Sequence, residues 1–193
     1  MEPLVLLASQ SPRRRELLDR IGVGYEVLPV DIDETPAAGE GAERLVLRLA
    51  LEKARRGQEL GGGRLPALGA DTAVVLDGEI LGKPADRADG LALLERLSGR
   101  THRVVTGVAV SGEREATRLS VSQVTLRSTT SAERERYWAS GEPADKAGAY
   151  AIQGRGGVLV ERLEGDYTGV MGLPLLETTQ LLDELDIPWR EHW

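Results

Sequence analysis

An apolar run followed at once by an arginine-crowded helix start constrains this chain more than any other stretch. Leu4–Leu7 reads as a buried strand, and Ala8–Leu18, ASQSPRRRELL, turns it into a helix. Ser11 stands where an N-cap belongs, and Pro12 takes the first helical position, where a missing N–H costs nothing. Arg13, Arg14 and Arg15 then fill the first turn. A helix N-terminus already carries partial positive charge, so each arginine there is unfavourable by about 0.3–1 kcal/mol. Two readings stay open. One is a solvated basic turn. The other is an anion site, in which a strand, a tight turn and a helix start hold phosphate. The local cost, placed directly after a buried strand, favours phosphate.

The elements that follow alternate. The spacing predicts a helix from Pro12 to Ile21, a strand over Tyr25–Val30, an acidic loop from Asp31 to Pro36 and a long helix over Ala42–Glu59. Leu65–Leu76 reads as a strand, Asp77-Gly78 as a hairpin turn and Glu79–Leu81 as the return strand. A helix over Asp86–Leu97, strands over Arg103–Val110 and Leu119–Leu126, a helix capped by Ser131 and reaching Ser140, a strand over Val158–Leu163 and a helix from Pro174 to Leu185 complete the chain. Interleaved strands and helices that include hairpins imply an α/β or α+β domain with a mixed sheet. No composition shift cuts the chain, so residues 1–193 are read as a single domain.

Composition narrows the chemistry. With no cysteine among 193 residues there is no disulfide framework, thiolate nucleophile or cysteine zinc site, which suits the cytoplasm. A net charge of −7 and few aromatic residues argue against a general nucleic-acid binder. The apolar run precedes the arginines, the reverse of a secretory signal, and no run approaches the roughly 20 apolar residues of a membrane span. The two histidines, His102 and His192, form no HExxH pair, and no GxSxG, Walker A or GxGxxG pattern occurs. Arginines, lysines and carboxylates remain, a set that fits phosphoryl chemistry.

Four positions stand out, three within that set and one glutamine. Asp71 lies inside an apolar stretch, PALGADTAVVL, where a carboxylate must be paired, metal-bound, protonated or hydrogen-bonded to backbone. Lys53 falls in the middle of the apolar face formed by Leu45, Val46, Leu49 and Ala50, while Arg44, Arg48, Glu52 and Arg55 take the opposite face. It either snorkels at the edge of that stripe or points into a cleft. Glu34, with Asp31 and Asp33, belongs either to a solvated loop or to a divalent-cation site. Gln153 sits in the glycine-rich run DKAGAYAIQGRGG, where glycines allow close backbone approach to a ligand or simply make turns.

Five ordered motifs, LLASQSPRRRELL, GADTAVVLDGEILGKP, LSGRTHRVVTGVAV, DKAGAYAIQGRGG and GVMGLPLLETTQLL, resemble the Maf-type nucleoside triphosphate pyrophosphatases from about Leu4 to Leu182. The DKAGAY-x-IQG form is similar to the subgroup acting on dTTP and UTP rather than the one acting on 7-methyl-GTP. The resemblance implies an elongated α/β fold, a mixed sheet flanked by helices with two lobes and a central cleft, similar to inosine triphosphate pyrophosphatases. It implies hydrolysis between the α- and β-phosphates, to the monophosphate and pyrophosphate, with a divalent cation, magnesium or manganese. By the same resemblance the general base falls on Asp71, and specificity positions fall on Arg13, Thr72 and Gln153. Phosphate or metal contacts fall on Ser9, Arg14, Glu34, Lys53 and Lys83, with Glu34 and Asp71 nearest the metal. In GDYTGVMGLP the family often has Ser and Asn where this chain has Asp166 and Gly169.

The expectation is therefore a cytoplasmic, metal-dependent pyrophosphatase acting on dTTP, UTP or modified pyrimidine triphosphates. It needs no nucleic acid or membrane partner, and a homodimer is the family expectation. The alternative is a non-catalytic nucleotide-binding regulator of septum formation, a role also linked to this family.

Overall fold

The computed structural model describes residues 2–192, with the side chains of residues 2–190; the His192 side chain noted above lies outside them. Strand β1 (Val5–Leu7) pairs in parallel with β2 (Tyr25–Val27) and with β3 (Ala67–Leu76). Strand β4 (Glu79–Leu81) returns antiparallel along β3. Adding β5 (Thr101–Ser111), β6 (Glu115–Leu126) and β7 (Val160–Glu164), the sheet runs β2-β1-β3-β5-β6-β7, with β4 on β3 outside that path. Among the described residues six α-helices interleave with the strands: α1 (Pro12–Arg20), α2 (Ala42–Leu60), α3 (Arg87–Leu97), α4 (Ser131–Trp138), α5 (Tyr167–Met171) and α6 (Leu175–Glu184). This is the mixed α/β sheet flanked by helices that the alternation predicts.

Local chemistry explains most boundaries. Asp77 and Gly78 both have positive φ, +53° and +84°, the twist a two-residue hairpin needs. Asp86 caps α3 by accepting from the Asp89 N–H. Three details differ from the sequence reading. Ser11 makes no side-chain cap; its N–H donates instead to Ser9 Oγ. Thr130, not Ser131, caps α4, in a reciprocal capping box with Glu133. The strand expected over Tyr25–Val30 stops at Val27.

Two compact units form, each from separated stretches of chain. One comprises residues 1–71, 106–120 and 172–193, the other residues 72–105 and 121–171. Because neither is contiguous, no linker composition marks the division.

Small residues let α2 lie very close to the sheet in the first unit. A Cβ on Gly57 would come within 2.9 Å of the Ala8 Cβ, and one on Gly69 would fall 2.2 Å from the Ala50 carbonyl oxygen. A Cβ on Gly107 would stand 2.5 Å from the Val46 oxygen, and Ala50, Ala54 and Ala109 pack together, fully buried. The second unit has a core of larger side chains, including Val74, Leu94, Leu97, Val104, Leu126 and Tyr150.

Candidate active site

The close seam under α2 determines where Lys53 goes. Lys53 is one of the buried positions of that helix, as the helical phase predicts, and Gly69 lies against the same turn, 3.2 Å from its Cβ once a side chain is added. Asp71 is two residues beyond Gly69 on β3, so both face α2. The lysine Nζ reaches 2.7 Å from Asp71 Oδ1 and 2.6 Å from Glu34 Oε1. Lys53 and Asp71 side chains are only 11% and 15% exposed, whereas Glu34 is 51% exposed. The pairing that a carboxylate inside an apolar strand requires is thus a lysine. The polar face of α2 behaves differently: Arg55 pairs with Glu115, and Arg48 with Glu40 and Glu52.

Arg14 leaves the crowded helix start. Its Nε donates to the Gly172 carbonyl at 2.8 Å, and one terminal nitrogen donates to Ser9 Oγ at 3.1 Å. Ser9 is buried, so this hydroxyl serves both Arg14 and the Ser11 N–H. Burial lowers the Arg14 guanidinium from its ordinary value; the Asp71 charge opposes that, Arg13 adds to it and Glu34 opposes it again. Arg13 and Arg14 therefore belong to the same electrostatic group as Glu34 and Asp71. Gly172 has φ +116°, outside the range ordinary side chains adopt, and this conformation presents the carbonyl to Arg14.

The remaining predicted positions lie in the second unit. Thr72 is partly buried, next to Asp71 in the chain. Lys83 is exposed, between Gly82 and Pro84. Its turn is joined to the glycine-rich run, since the Gly148 N–H donates to the Gly82 carbonyl at 3.0 Å. Gln153, partly buried, follows five residues later. Asp166 has a structural job here: its carboxylate accepts from the Thr168 and Gly169 N–H groups and caps α5.

Among the described residues, no group of three or more His, Asp or Glu side chains could hold a metal ion. Glu34 and Asp71 are two hard oxygen donors that converge on one lysine nitrogen. A magnesium-type ion keeps several waters and takes phosphate oxygens besides one or two carboxylates, so this donor pair fits such an ion.

Sequence reasoning missed Gly172, and it missed Glu142 and Tyr137, whose side chains bond the backbone on either side of Gln153. Gly172 carried a signal, because a glycine just before Leu173-Pro174 marks a special turn. Glu142, between Gly141 and Pro143, carried none.

Known proteins share this chain along nearly its whole length. A protein of Alkalilimnicola ehrlichii named dTTP/UTP pyrophosphatase is 60% identical over 99% of this chain and 97% of its own. A protein of the same name from Aromatoleum aromaticum is 51% identical over 97% of this chain and 100% of its own. Among solved structures, the nucleoside-triphosphatase / dITP/XTP pyrophosphatase of Mycobacterium abscessus is similar at 22% identity, covering 63% of this chain and 72% of that one, with a TM-score of 0.40. The family match spans residues 4–185, and the chain belongs to the Maf-like protein family.

Proposed function

We propose that this chain is a nucleoside triphosphate pyrophosphatase that hydrolyses dTTP and UTP to the monophosphate and pyrophosphate. The observation that carries the chemistry is the Lys53 ammonium held between the carboxylates of Asp71 and Glu34. The substrates follow the names of the relatives at 60% and 51% identity.

Asp71 takes the proton from a water that attacks the α-phosphorus, and Arg13, Arg14, Lys53 and Lys83 neutralise the triphosphate. Lys53 engages Asp71 in the free protein. A phosphate arriving beside Lys53 competes for its three donors and releases Asp71 to act as base. Glu34 and Asp71 would hold magnesium or manganese, which supplies further neutralisation of phosphate charge.

Base choice falls to groups other than the phosphate ligands. Uracil and thymine offer two carbonyl acceptors flanking one N–H, and the Gln153 amide carries a donor and an acceptor that complement part of that edge. Arg13 donates only, which suits a carbonyl, and the Thr72 hydroxyl adds a third polar group. Cytosine replaces one carbonyl with an amino group, so a donor-rich site meets donor with donor.

The reading extends to a homodimer acting on free nucleotides in the cytoplasm, without nucleic acid or membrane. The net charge of −7 supports the reading that nucleic acid is not a partner. Among the described residues no helix is long and apolar enough to cross a membrane.

The test is a panel of UTP, dTTP, CTP, ATP and GTP with magnesium or manganese, scoring pyrophosphate against orthophosphate. UTP and dTTP should exceed CTP by about tenfold or more in kcat/KM, with pyrophosphate as product. Equal turnover of all five, or release of orthophosphate, defeats the reading.

A further inference from the structure

The glycines after Gln153 do not open the backbone to a ligand; they seat it on the protein's own side chains. A Cβ on Gly154 would fall 2.1 Å from Glu142 Oε2, one on Gly156 would fall 2.4 Å from the Tyr137 hydroxyl, and one on Gly157 would fall 2.7 Å from the Ile152 oxygen. The segment therefore packs backbone-first against Glu142 and Tyr137, where any larger residue would push it away.

Hydrogen bonds make the same contact specific. The Arg155 N–H donates to Glu142 Oε2 and the Gly156 N–H to Glu142 Oε1, both at 2.9 Å. The Tyr137 hydroxyl donates to Glu142 Oε1 at 2.6 Å and accepts from the Ala151 N–H at 3.0 Å. Ala151 lies two residues before Gln153 and Arg155 two residues after it. One carboxylate and one buried phenol thus fix the chain on both sides of Gln153. Hydrogen bonds to an ionised acceptor are the strong ones, and here two backbone donors and a phenol converge on a single carboxylate.

We infer that Glu142 and Tyr137 are positioning residues for base selection: they hold the backbone that aims the Gln153 amide. The inference rests on the reading of Gln153 as the group that meets the base. In this role neither residue needs to touch the nucleotide. An amide that reads a base edge must be held within a fraction of an ångström, and a glycine-rich turn has no stiffness of its own. The clamp supplies that stiffness. The bonds of its two side chains run to each other and to the backbone of Ala151, Arg155 and Gly156, so the clamp acts on the turn that carries Gln153.

The experiment compares wild type, Glu142→Gln and Tyr137→Phe, each shown folded by thermal unfolding. Two readouts are taken: kcat and KM for UTP and CTP, and hydrogen exchange at the Ala151, Arg155 and Gly156 amides of the free enzyme. Glu142→Gln replaces one accepting oxygen by a donor that faces another N–H. It should lower the UTP/CTP ratio of kcat/KM by about tenfold, mostly through a higher KM for UTP, with kcat within about threefold of wild type. Tyr137→Phe should shift the ratio the same way, by less, and stands in if Glu142→Gln does not fold. Exchange at Arg155 and Gly156 should quicken in Glu142→Gln. An unchanged UTP/CTP ratio in both variants, or an equal proportional loss for both substrates, overturns the inference. A wild-type enzyme without UTP preference defeats the base-reading role of Gln153 instead. The clamp then stands or falls on exchange alone, and unchanged protection in Glu142→Gln overturns it.

Discussion

The ammonium of Lys53 lies 2.7 Å from Oδ1 of Asp71, on the stretch of β3 where Gly69 lets helix α2 come close to the sheet. Glu34 shares the same nitrogen at 2.6 Å. A base held by a cation that also binds phosphate is ready when substrate draws that cation away. Asp71→Asn keeps the shape and removes the proposed base. The expected result is a fall in kcat of about 10²-fold or more with little change in nucleotide affinity, read by steady-state kinetics and equilibrium binding. Near-normal turnover in a folded Asp71→Asn protein would make Asp71 a structural partner of Lys53 only.

Lysine and arginine two positions apart on α2 should behave differently. Lys53→Ala removes the ammonium that Asp71 and Glu34 share, so both thermal stability and triphosphate turnover should drop, turnover by about tenfold or more. Arg55 pairs with Glu115 at the surface, its side chain 57% exposed. Arg55→Ala should leave kinetics unchanged, because exposed pairs contribute little. Equal kinetic effects in the two variants would contradict the division of α2 into a working face and a solvated face.

Gly69 tests whether the close seam sets the geometry. A methyl there meets backbone, 2.2 Å from the Ala50 oxygen and 2.7 Å from the Ala54 nitrogen, and neither can swing aside. Gly69→Ala should lower the unfolding free energy by about 1–3 kcal/mol. It should also reduce kcat/KM by about tenfold, since α2 carries Lys53 away from Asp71. Denaturant unfolding and UTP kinetics on one preparation read both effects. Full activity with lost stability would separate the seam from the site.

The buried His102 predicts how stability depends on pH. Its Nε2 lies 2.8 Å from the Tyr150 hydroxyl, its Nδ1 has no partner among the described residues, and burial pushes its pKa down to about 4. Above the ordinary value of 6.5 the ring is neutral in the folded and the unfolded chain alike. Between 6.5 and 4 the unfolded chain takes up a proton that the folded one refuses, so stability falls as pH drops through that window and this loss levels off below it. The loss approaches roughly 3 kcal/mol at pH 4. His102→Gln, which cannot ionise, should flatten the slope between pH 7 and pH 5. An identical slope in wild type and variant would assign the pH dependence to other groups.

Local pattern carried the parts of the fold that local forces decide. The helical phase that put Lys53 among Leu45, Val46, Leu49 and Ala50 is the phase observed, because burial of one face fixes the rotation of a long helix. Asp77-Gly78 turned as expected because few residues other than these tolerate positive φ twice in succession. Contacts between distant stretches were not legible. Three arginines at a helix start pointed to an anion, but no pattern near Arg14 reveals a carbonyl 158 residues away. Glu34 looked the same as any acidic loop residue until α2 brought Lys53 beside it. Glycines after Gln153 were readable as glycines that permit close approach, but what approaches, Glu142 and Tyr137, comes from the end of α4 and the turn beyond it.

In the proposed reaction a water that Asp71 deprotonates attacks the α-phosphorus. Hydrolysis of UTP in water enriched in oxygen-18, with each product analysed by mass spectrometry, tests it most directly. One labelled oxygen is expected in UMP and none in pyrophosphate, with both products formed about 10²-fold more slowly in Asp71→Asn. Label in pyrophosphate would place the attack on the β-phosphorus, and labelled orthophosphate would place it on the γ-phosphorus; either contradicts the account.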